Sequence, residues 1–308
     1  MSDIDYLTNV GILELDTVPP EHLVIVGGSY IALEFAQMYR RFGAHVTVIE
    51  KGPRLTSRED EDVSAAIKEI LEAEGIDVVL DATAIAFTKR DSGFEVVPRE
   101  GAEPIAGSHL LLAVGRAPNT DDLGLDAAGV ETDARGYIVV DDQLRTNVEH
   151  IWAMGGDCNG KGAFTHTSYN DFEIVAANLL DDDPRRVSDR VMTYALYIDP
   201  PLGRAGMSVD EVRKSGRKAL MGKRPMTRVG RAVEKGETQG FMKIVVDADT
   251  EEILGAAILG VGGDEVIHAV LDVMTAKLPY TAISRTMHIH PTVSELVPTM
   301  LQEMKPLQ

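Results

Sequence analysis

The sequence predicts an α/β protein with a parallel sheet in its first part and an α+β fold in its last part. The first observation is the apolar run Leu23–Val26, which has no polar break and is typical of a strand buried on both faces. The second is the segment Tyr30–Phe42, whose apolar residues recur at helical spacing and which ends before Gly43. The third is FMKIVVDADTEEILGAAILG, which predicts a strand, a turn and a second strand near the end of the chain.

A glycine turn joins the first strand to the first helix. Gly27 permits a tight turn, a small residue at Ser29 lets backbone N–H groups approach a pyrophosphate, and Ala32 lets the helix pack closely on the strand. The helix N-terminus offers free N–H groups and a positive dipole end to phosphates. The next predicted strand, His45–Glu50, ends in a carboxylate that accepts hydrogen bonds from both ribose hydroxyls and repels a 2′-phosphate. Together these features indicate a dinucleotide-binding unit that favours NAD(H) over NADP(H); the alternative is an α/β crossover without a ligand.

The remaining elements follow in chain order. Residues 1–20 are a lead-in that ends at two prolines. Asp157 is expected at the tip of a strand. Further helices are predicted over 60–73, 172–180, 208–215 and 264–276, with one begun at Pro291 and Thr292. Further strands are predicted over 76–80, 84–90, 94–99, 110–114 and 137–140.

Composition and charge exclude several classes of function. The 308 residues carry a net charge of −19, which disfavours nucleic acid and anionic lipid as partners. Cys158 is the one cysteine, so the chain forms no internal disulfide and no thiolate metal site. The N-terminus lacks the pattern of a signal peptide, and no apolar stretch approaches the ~18 residues of a membrane span. We therefore expect a cytoplasmic protein without a membrane partner.

Four motifs occur in one order along the chain: GGSYIALEFA, AVGRAPNT, the GGD segment and HIHPTVSE. In this order they resemble the class I pyridine nucleotide-disulfide oxidoreductases, which include glutathione reductase, dihydrolipoamide dehydrogenase and mercuric reductase. Members are homodimeric FAD enzymes that pass electrons from NAD(P)H through flavin to a cysteine pair. The resemblance implies a Rossmann-like NAD-binding domain over 1–115, the C-terminal part of an FAD-binding domain over 116–186, and an α+β dimerisation domain over 187–308.

The resemblance also implies roles for single residues. Tyr30 matches the aromatic residue that covers the flavin until nicotinamide displaces it; the alternative is a tyrosine packed on the sheet. Glu34 matches a glutamate that pairs with a lysine near the flavin; the alternative is a solvated helix charge. Gly115 lets the nicotinamide end approach the backbone, Asp157 binds the ribityl chain, and the helix start at Thr165 faces the flavin. The predicted cofactor-binding residues are thus Gly27, Gly28, Ser29, Tyr30, Ile31, Glu34, Glu50, Gly115, Asp157 and Thr165.

His290 and Glu295 match the His–Glu pair of the family's dimerisation domain, which reaches the site across the dimer. There the imidazole is the acid/base for the thiols, and the carboxylate fixes its orientation. The alternative is a structural histidine before a helix. We expect His288 to be a packing or capping histidine.

The sequence departs from the family pattern in what precedes these motifs. The first Rossmann unit and the C-x-x-x-x-C pair are not in the chain, and we expect Met1 to be an internal methionine of a longer protein and Cys158 to be inert. The intact protein is then an FAD-dependent NADH:disulfide oxidoreductase, whereas this chain alone binds FAD weakly or not at all and is inactive. The alternative is a catalytically incomplete dimeric NAD(H)-binding module. A mercuric ion substrate is disfavoured. The sequence does not identify which disulfide or other oxidant the intact protein reduces.

Overall fold

A computed structural model describes residues 4–16 and 19–307. The expectations for residues 1–3, 17, 18 and 308, including the one for Met1, lie outside the described residues. The chain divides into two compact units. The larger one extends to Val114 and resumes at Met192, and the smaller one is Gly115–Val191.

A four-stranded parallel sheet forms the first half of the larger unit. Its strands are β1 (His22–Val26), β2 (His45–Ile49), β3 (Asp77–Val79) and β7 (His109–Leu112), in the order β3-β2-β1-β7. The sheet carries helices α1 (Tyr30–Arg41) and α2 (Glu61–Ala73). Leu23, Val24 and Ile25 of β1 are fully buried, which confirms the prediction of a central strand. The carboxyl ends of β1, β2 and β7 therefore meet at one edge of the sheet, where the glycine turn begins.

A small antiparallel sheet and the lead-in flank this parallel sheet. The small sheet consists of β4 (Ala86–Arg90), β5 (Gly93–Val97) and β6 (Ile105–Gly107). The first two confirm the strands predicted over 84–90 and 94–99, whereas β6 was not predicted. The lead-in also pairs with the parallel sheet, because Leu7 forms a parallel bridge with Leu111 of β7.

A six-stranded antiparallel sheet forms the second half of the larger unit. Its strands are β8 (Thr193–Leu196), β9 (Leu202–Gly206), β10 (Ala219–Pro225), β11 (Phe241–Asp247), β12 (Ile253–Leu259) and β13 (Lys305–Pro306), in the order β13-β10-β11-β12-β9-β8. Its helices are α6 (Val209–Ser215), α7 (Gly230–Lys235), α8 (Gly263–Thr275), α9 (Thr281–Ser284) and α10 (Val297–Gln302). Ser208 caps α6 in a capping box with Glu211, which accounts for the start of the helix predicted over 208–215.

The smaller unit contains α3 (Leu125–Ala128), α4 (Gly156–Asn159) and α5 (Thr165–Leu180). Two strand predictions are wrong here. Residues 137–140 form no strand, because Ile138 makes only an isolated bridge with Thr132 and its N–H bonds Cys158 O instead of extending a ladder. Asp157 lies in the first turn of α4 and not at a strand tip.

Two helix starts also differ from the prediction. The helix expected from Phe172 begins earlier, at Thr165, because Thr167 Oγ1 accepts the N–H of Phe164 and satisfies a donor before the first turn. The helix expected from Pro291 and Thr292 begins only at Val297, after a 3₁₀ turn over Ser294–Leu296.

Among the described residues, the helices are all too short or too polar to cross a bilayer.

Candidate functional site

The glycine turn after β1 has the conformation that only glycine adopts easily. Gly27 has a φ of +120°, and a Cβ there would lie 2.3 Å from Ala113 O. A Cβ on Gly28 would lie 2.8 Å from both Glu50 Cβ and Leu55 Cδ2. The turn therefore packs against Ala113, just after β7, and against Glu50 and Leu55, which follow β2. Neither glycine has room for a side chain.

The N-terminus of α1 is open for an anion. Ser29 precedes the helix in an extended conformation, and its side chain makes no capping bond. The first N–H to bond within the helix is that of Leu33, to Ser29 O at 3.1 Å. The N–H groups of Tyr30 and Ile31 thus point out of the helix end, where a phosphate would accept them.

Glu50 lies beside this turn. Its Oε2 accepts the N–H of Gly28 at 2.6 Å, and its Oε1 accepts the N–H of Gly52 at 2.7 Å. The side chain is only half-buried. The structure therefore places the carboxylate at the carboxyl end of β2, next to the glycine turn, where the sequence predicted it.

One face of α1 carries polar residues that contact the antiparallel half of the same unit. The Tyr30 and Tyr194 rings lie 5.4 Å apart between centroids, Glu34 Oε1 accepts the N–H of Tyr197 at 2.9 Å, and Gln37 Oε1 accepts the N–H of Asp199 at 2.6 Å. Burial raises the pKa of Glu34, against the effect of the bond from Tyr197. Glu34 is therefore partly buried and not the fully solvated helix charge that the alternative reading expected, because the 197–199 segment contacts this face of the helix.

A buried charge cluster, which sequence reasoning missed, joins the start of α2 to the antiparallel sheet. Lys243 is 2% exposed, and its Nζ lies 2.7 Å from Asp60 Oδ2 and 2.6 Å from Asp62 Oδ1. Asp60 Oδ1 accepts the N–H of Val209 at 2.8 Å. Burial alone would raise the pKa of Asp62, but hydrogen bonds from Lys223 and Lys243 outweigh it and hold this pKa below its usual value.

Gly115, Asp157 and Thr165 belong to the smaller unit. Gly115 has a φ of +155°, and a Cβ there would meet nothing within 4 Å, so its backbone is accessible. Arg116 forms an ion pair with Asp157 and donates to Ala163 O at 2.8 Å. Thr165 is exposed and begins α5, whose first N–H groups point out of the helix end.

The segment that carries Asp157 is held by a second residue that sequence reasoning missed. Asp171 is fully buried, and its Oδ2 accepts the N–H of Gly155 at 2.9 Å and the Nδ2 of Asn159 at 2.8 Å. Its Oδ1 pairs with Arg190. Asp171 directly precedes the helix predicted over 172–180, and this position gave no signal of the role, because its partners come from other segments.

His290 and Glu295 lie close together in the antiparallel half of the larger unit. His290 Nδ1 is 2.8 Å from Glu295 Oε2; the imidazole is 80% exposed and the carboxylate 13%. Nδ1 therefore holds the proton that bonds the carboxylate, and Nε2 faces outward as the free ring nitrogen. His288 Nδ1 lies 3.0 Å from Thr286 O, a local contact of the kind expected for a capping histidine.

Comparisons with known proteins agree with this architecture. The family model "Pyridine nucleotide-disulphide oxidoreductase" matches residues 1–171, and the model of its dimerisation domain matches residues 192–301. RclA of Escherichia coli strain K12 is 38% identical over 93% of this chain and 64% of its own length. Dihydrolipoyl dehydrogenase 3 of Haloarcula marismortui is 34% identical over 93% of this chain and 61% of its own length. Mercuric reductase of Streptomyces lividans is 33% identical over 96% of this chain and 62% of its own length.

A solved structure has the same fold. The Escherichia coli protein described as "HOCl-induced flavoprotein disulfide reductase RclA" matches with a TM-score of 0.89 and 35% identity, over 97% of this chain and 68% of that one. The chain thus spans 61% to 64% of the length of the curated relatives named above. By its family models, its relatives and its fold, the chain belongs to the pyridine nucleotide-disulphide oxidoreductase family.

Proposed function

We propose that this chain forms the NAD(H)-binding and dimerising parts of an FAD-dependent NADH:disulfide oxidoreductase. The observation that carries the proposal is the geometry at the edge of the parallel sheet: the glycine turn, the open N-terminus of α1 and the Glu50 carboxylate lie together. These are the groups that a dinucleotide needs for its pyrophosphate and its ribose.

The residues of the smaller unit fit the flavin contacts that the resemblance implies. Asp157 is about half exposed. Its carboxylate can therefore accept hydrogen bonds from ribityl hydroxyls while it keeps its ion pair with Arg116. The N-terminus of α5 at Thr165 offers N–H groups to an electron-rich ring edge. Gly115 leaves its backbone open to a ligand. When bound, the flavin supplies the electron transfer between nicotinamide and a disulfide.

His290 would hold and move the proton of the reacting thiol. With Nδ1 bonded to Glu295, the outward Nε2 accepts a proton and the carboxylate stabilises the imidazolium that forms. The 308 residues contain one cysteine, so a pair of redox cysteines does not form within them. A catalytically incomplete dimeric NAD(H)-binding module is therefore the alternative. The genomic sequence upstream of Met1 separates the two proposals, because an in-frame GxGxxG motif and a CxxxxC pair there would support the first.

NADH is expected to bind at least about tenfold more tightly than NADPH, because Glu50 meets a 2′-phosphate with like charge. Isothermal titration with both nucleotides measures this ratio. Replacing Glu50 with glutamine should reduce the ratio, whereas Glu72→Gln, which removes a carboxylate bonded to Lys68 on α2, should leave it unchanged. Tighter binding of NADPH would contradict the proposal; Lys51 and Arg54 are the nearby cations that would then bind the phosphate.

The chain is expected to form a homodimer through the residues from about 187 to 308. The loop before His290 exposes Met287 by 95% and Ile289 by 78%, which is typical of a surface that a partner covers. Light scattering should give twice the 33.4 kDa mass of one chain. Ile289→Asp should weaken the dimer, and Leu13→Asp in the lead-in, where Leu13 is 71% exposed, should not. A monomer at micromolar concentration would contradict this expectation.

A further inference from the structure

Two tyrosines, Tyr30 and Tyr194, donate hydrogen bonds to one buried carboxylate, that of Glu59, near the proposed nucleotide site. Glu59 is 1% exposed, and its Oε1 accepts both Tyr30 Oη at 2.7 Å and Tyr194 Oη at 2.6 Å. The two rings lie 5.4 Å apart between centroids. Burial, followed by the charge of Glu59, raises the pKa of both hydroxyls, so both stay protonated and donate to the carboxylate.

Glu59 itself is fixed in place. Its N–H bonds Thr56 O at 2.7 Å, and the N–H of Thr56 bonds Gly28 O at 2.7 Å, which ties this loop to the glycine turn. Arg204 of β9 places its Nε 3.6 Å from Glu59 Oε2. The carboxylate therefore has a defined position relative to the nucleotide site, and it keeps Tyr194 and Arg204 as partners when Tyr30 moves away.

Tyr30 lies at the helix end that the proposed nucleotide site uses. It is the first residue of α1, and side chains of a helix lean towards its N-terminus. A dinucleotide whose pyrophosphate lies on that N-terminus extends past this ring. The bond from Tyr30 to a carboxylate is of the stronger, charge-assisted kind, so displacing the ring costs more than displacing an unbonded tyrosine.

We propose that Glu59 is a positioning residue that holds Tyr30 over the nicotinamide position, with Tyr194 and Arg204 stabilising the carboxylate once Tyr30 is displaced. This inference rests on the proposed function, since it assumes that NAD(H) binds at the glycine turn. It assigns a role to a residue whose sequence context, four consecutive acids from Glu59 to Asp62, indicates only a helix start. Access of the nicotinamide is then set jointly by the two halves of the larger unit.

The test compares NADH with ADP-ribose, which carries the adenosine, pyrophosphate and ribose but no nicotinamide. Tyr30→Phe keeps the ring and removes the bond, so NADH should bind about tenfold more tightly and ADP-ribose should bind unchanged. Glu59→Gln should give a smaller change in the same direction, because an amide oxygen still accepts a weaker bond. Tyr39→Phe is the matched control: it removes a hydroxyl on the same helix that donates to Ile12 O at 2.8 Å, and both ligands should bind as to the parent chain.

The outcomes separate the two proposals. If neither ligand binds the parent chain, the proposed function fails. If both ligands bind but Tyr30→Phe leaves the NADH affinity unchanged or lowers it, the positioning role of Glu59 is wrong. If Tyr30→Phe and Glu59→Gln change both affinities by the same factor, Glu59 acts on the fold alone and the inference is overturned. Unchanged ADP-ribose binding also shows that each variant has folded.

Discussion

Replacing Lys243 with methionine is expected to lower the free energy of unfolding of the larger unit by about 3–5 kcal/mol. The ammonium group is 2% exposed and neutralises the buried Asp60 carboxylate at 2.7 Å. Methionine fills a similar volume but leaves that carboxylate with Val209 N–H at 2.8 Å and Arg204 at 3.8 Å. These partners compensate a buried charge only in part, and the penalty for a poorly paired buried charge exceeds what the original pair contributes. Urea denaturation followed by circular dichroism measures the loss.

The neighbouring strand offers a matched control for this prediction. Lys223 of β10 bonds Asp62 at 2.5 Å, but its side chain is 39% exposed. Lys223→Met should therefore cost less than about 1 kcal/mol, because water replaces the lost partner. Combining Lys243→Met with Asp60→Asn should recover most of the loss, since the buried charge is then gone. If both lysine variants lose the same free energy of unfolding, burial does not determine how much these ion pairs contribute to stability.

The nucleotide-binding half was predictable because its signals are local. An unbroken apolar strand, a glycine turn, a helix and an acid occur within the segment 23–50, and the structure confirms them as β1, the turn, α1, β2 and Glu50. Each backbone requirement there, such as the positive φ of Gly27, selects a residue type directly. The sequence alone therefore predicts that these side chains lie at one edge of the sheet.

The polar contacts between distant segments were not predictable in the same way. Glu34 and Gln37 have the spacing of a solvated helix face, yet this face bonds Tyr197 and Asp199. Asp60 has the position of a helix N-cap, but its side chain makes no capping bond and contacts Lys243 instead. Hydrophobic periodicity reports which face of an element is apolar, and it does not report which polar residue is buried by a partner far away in sequence.

The smaller unit was the least predictable part because little of it is regular. Residues 137–140 have the composition of a strand, but their backbone bonds serve turns around Asp133 and Cys158. β-propensity reflects a fit to a pleated surface with neighbours, and a single bridge does not supply that surface. Buried polar side chains connect its segments instead, among them the fully buried Asp171.

Replacing Asp171 with alanine is expected to destabilise the smaller unit by about 3–5 kcal/mol. Its carboxylate is fully buried, and its removal leaves Gly155 N–H and the Asn159 amide without their acceptor. The Arg190 side chain, which is 8% exposed, also loses its ion-pair partner. Hydrogen exchange at the Gly155 amide reports this change directly, because that N–H bonds the carboxylate itself.

Glu173→Gln provides the control on the same helix. Glu173 lies 3.6 Å from Arg185, and both side chains are more than a third exposed, so its loss should cost less than about 1 kcal/mol and leave the Gly155 amide protected. Asp171→Asn should fall between the two variants, because an amide keeps one acceptor oxygen but not the charge that Arg190 needs. If the Gly155 amide stays protected in Asp171→Ala, the segment 155–159 is held by its own α4 turn and Asp171 does not position Asp157. If the Gly155 amide loses protection in Asp171→Ala but keeps it in Glu173→Gln, one buried carboxylate fixes the loop on which the proposed ribityl contact depends.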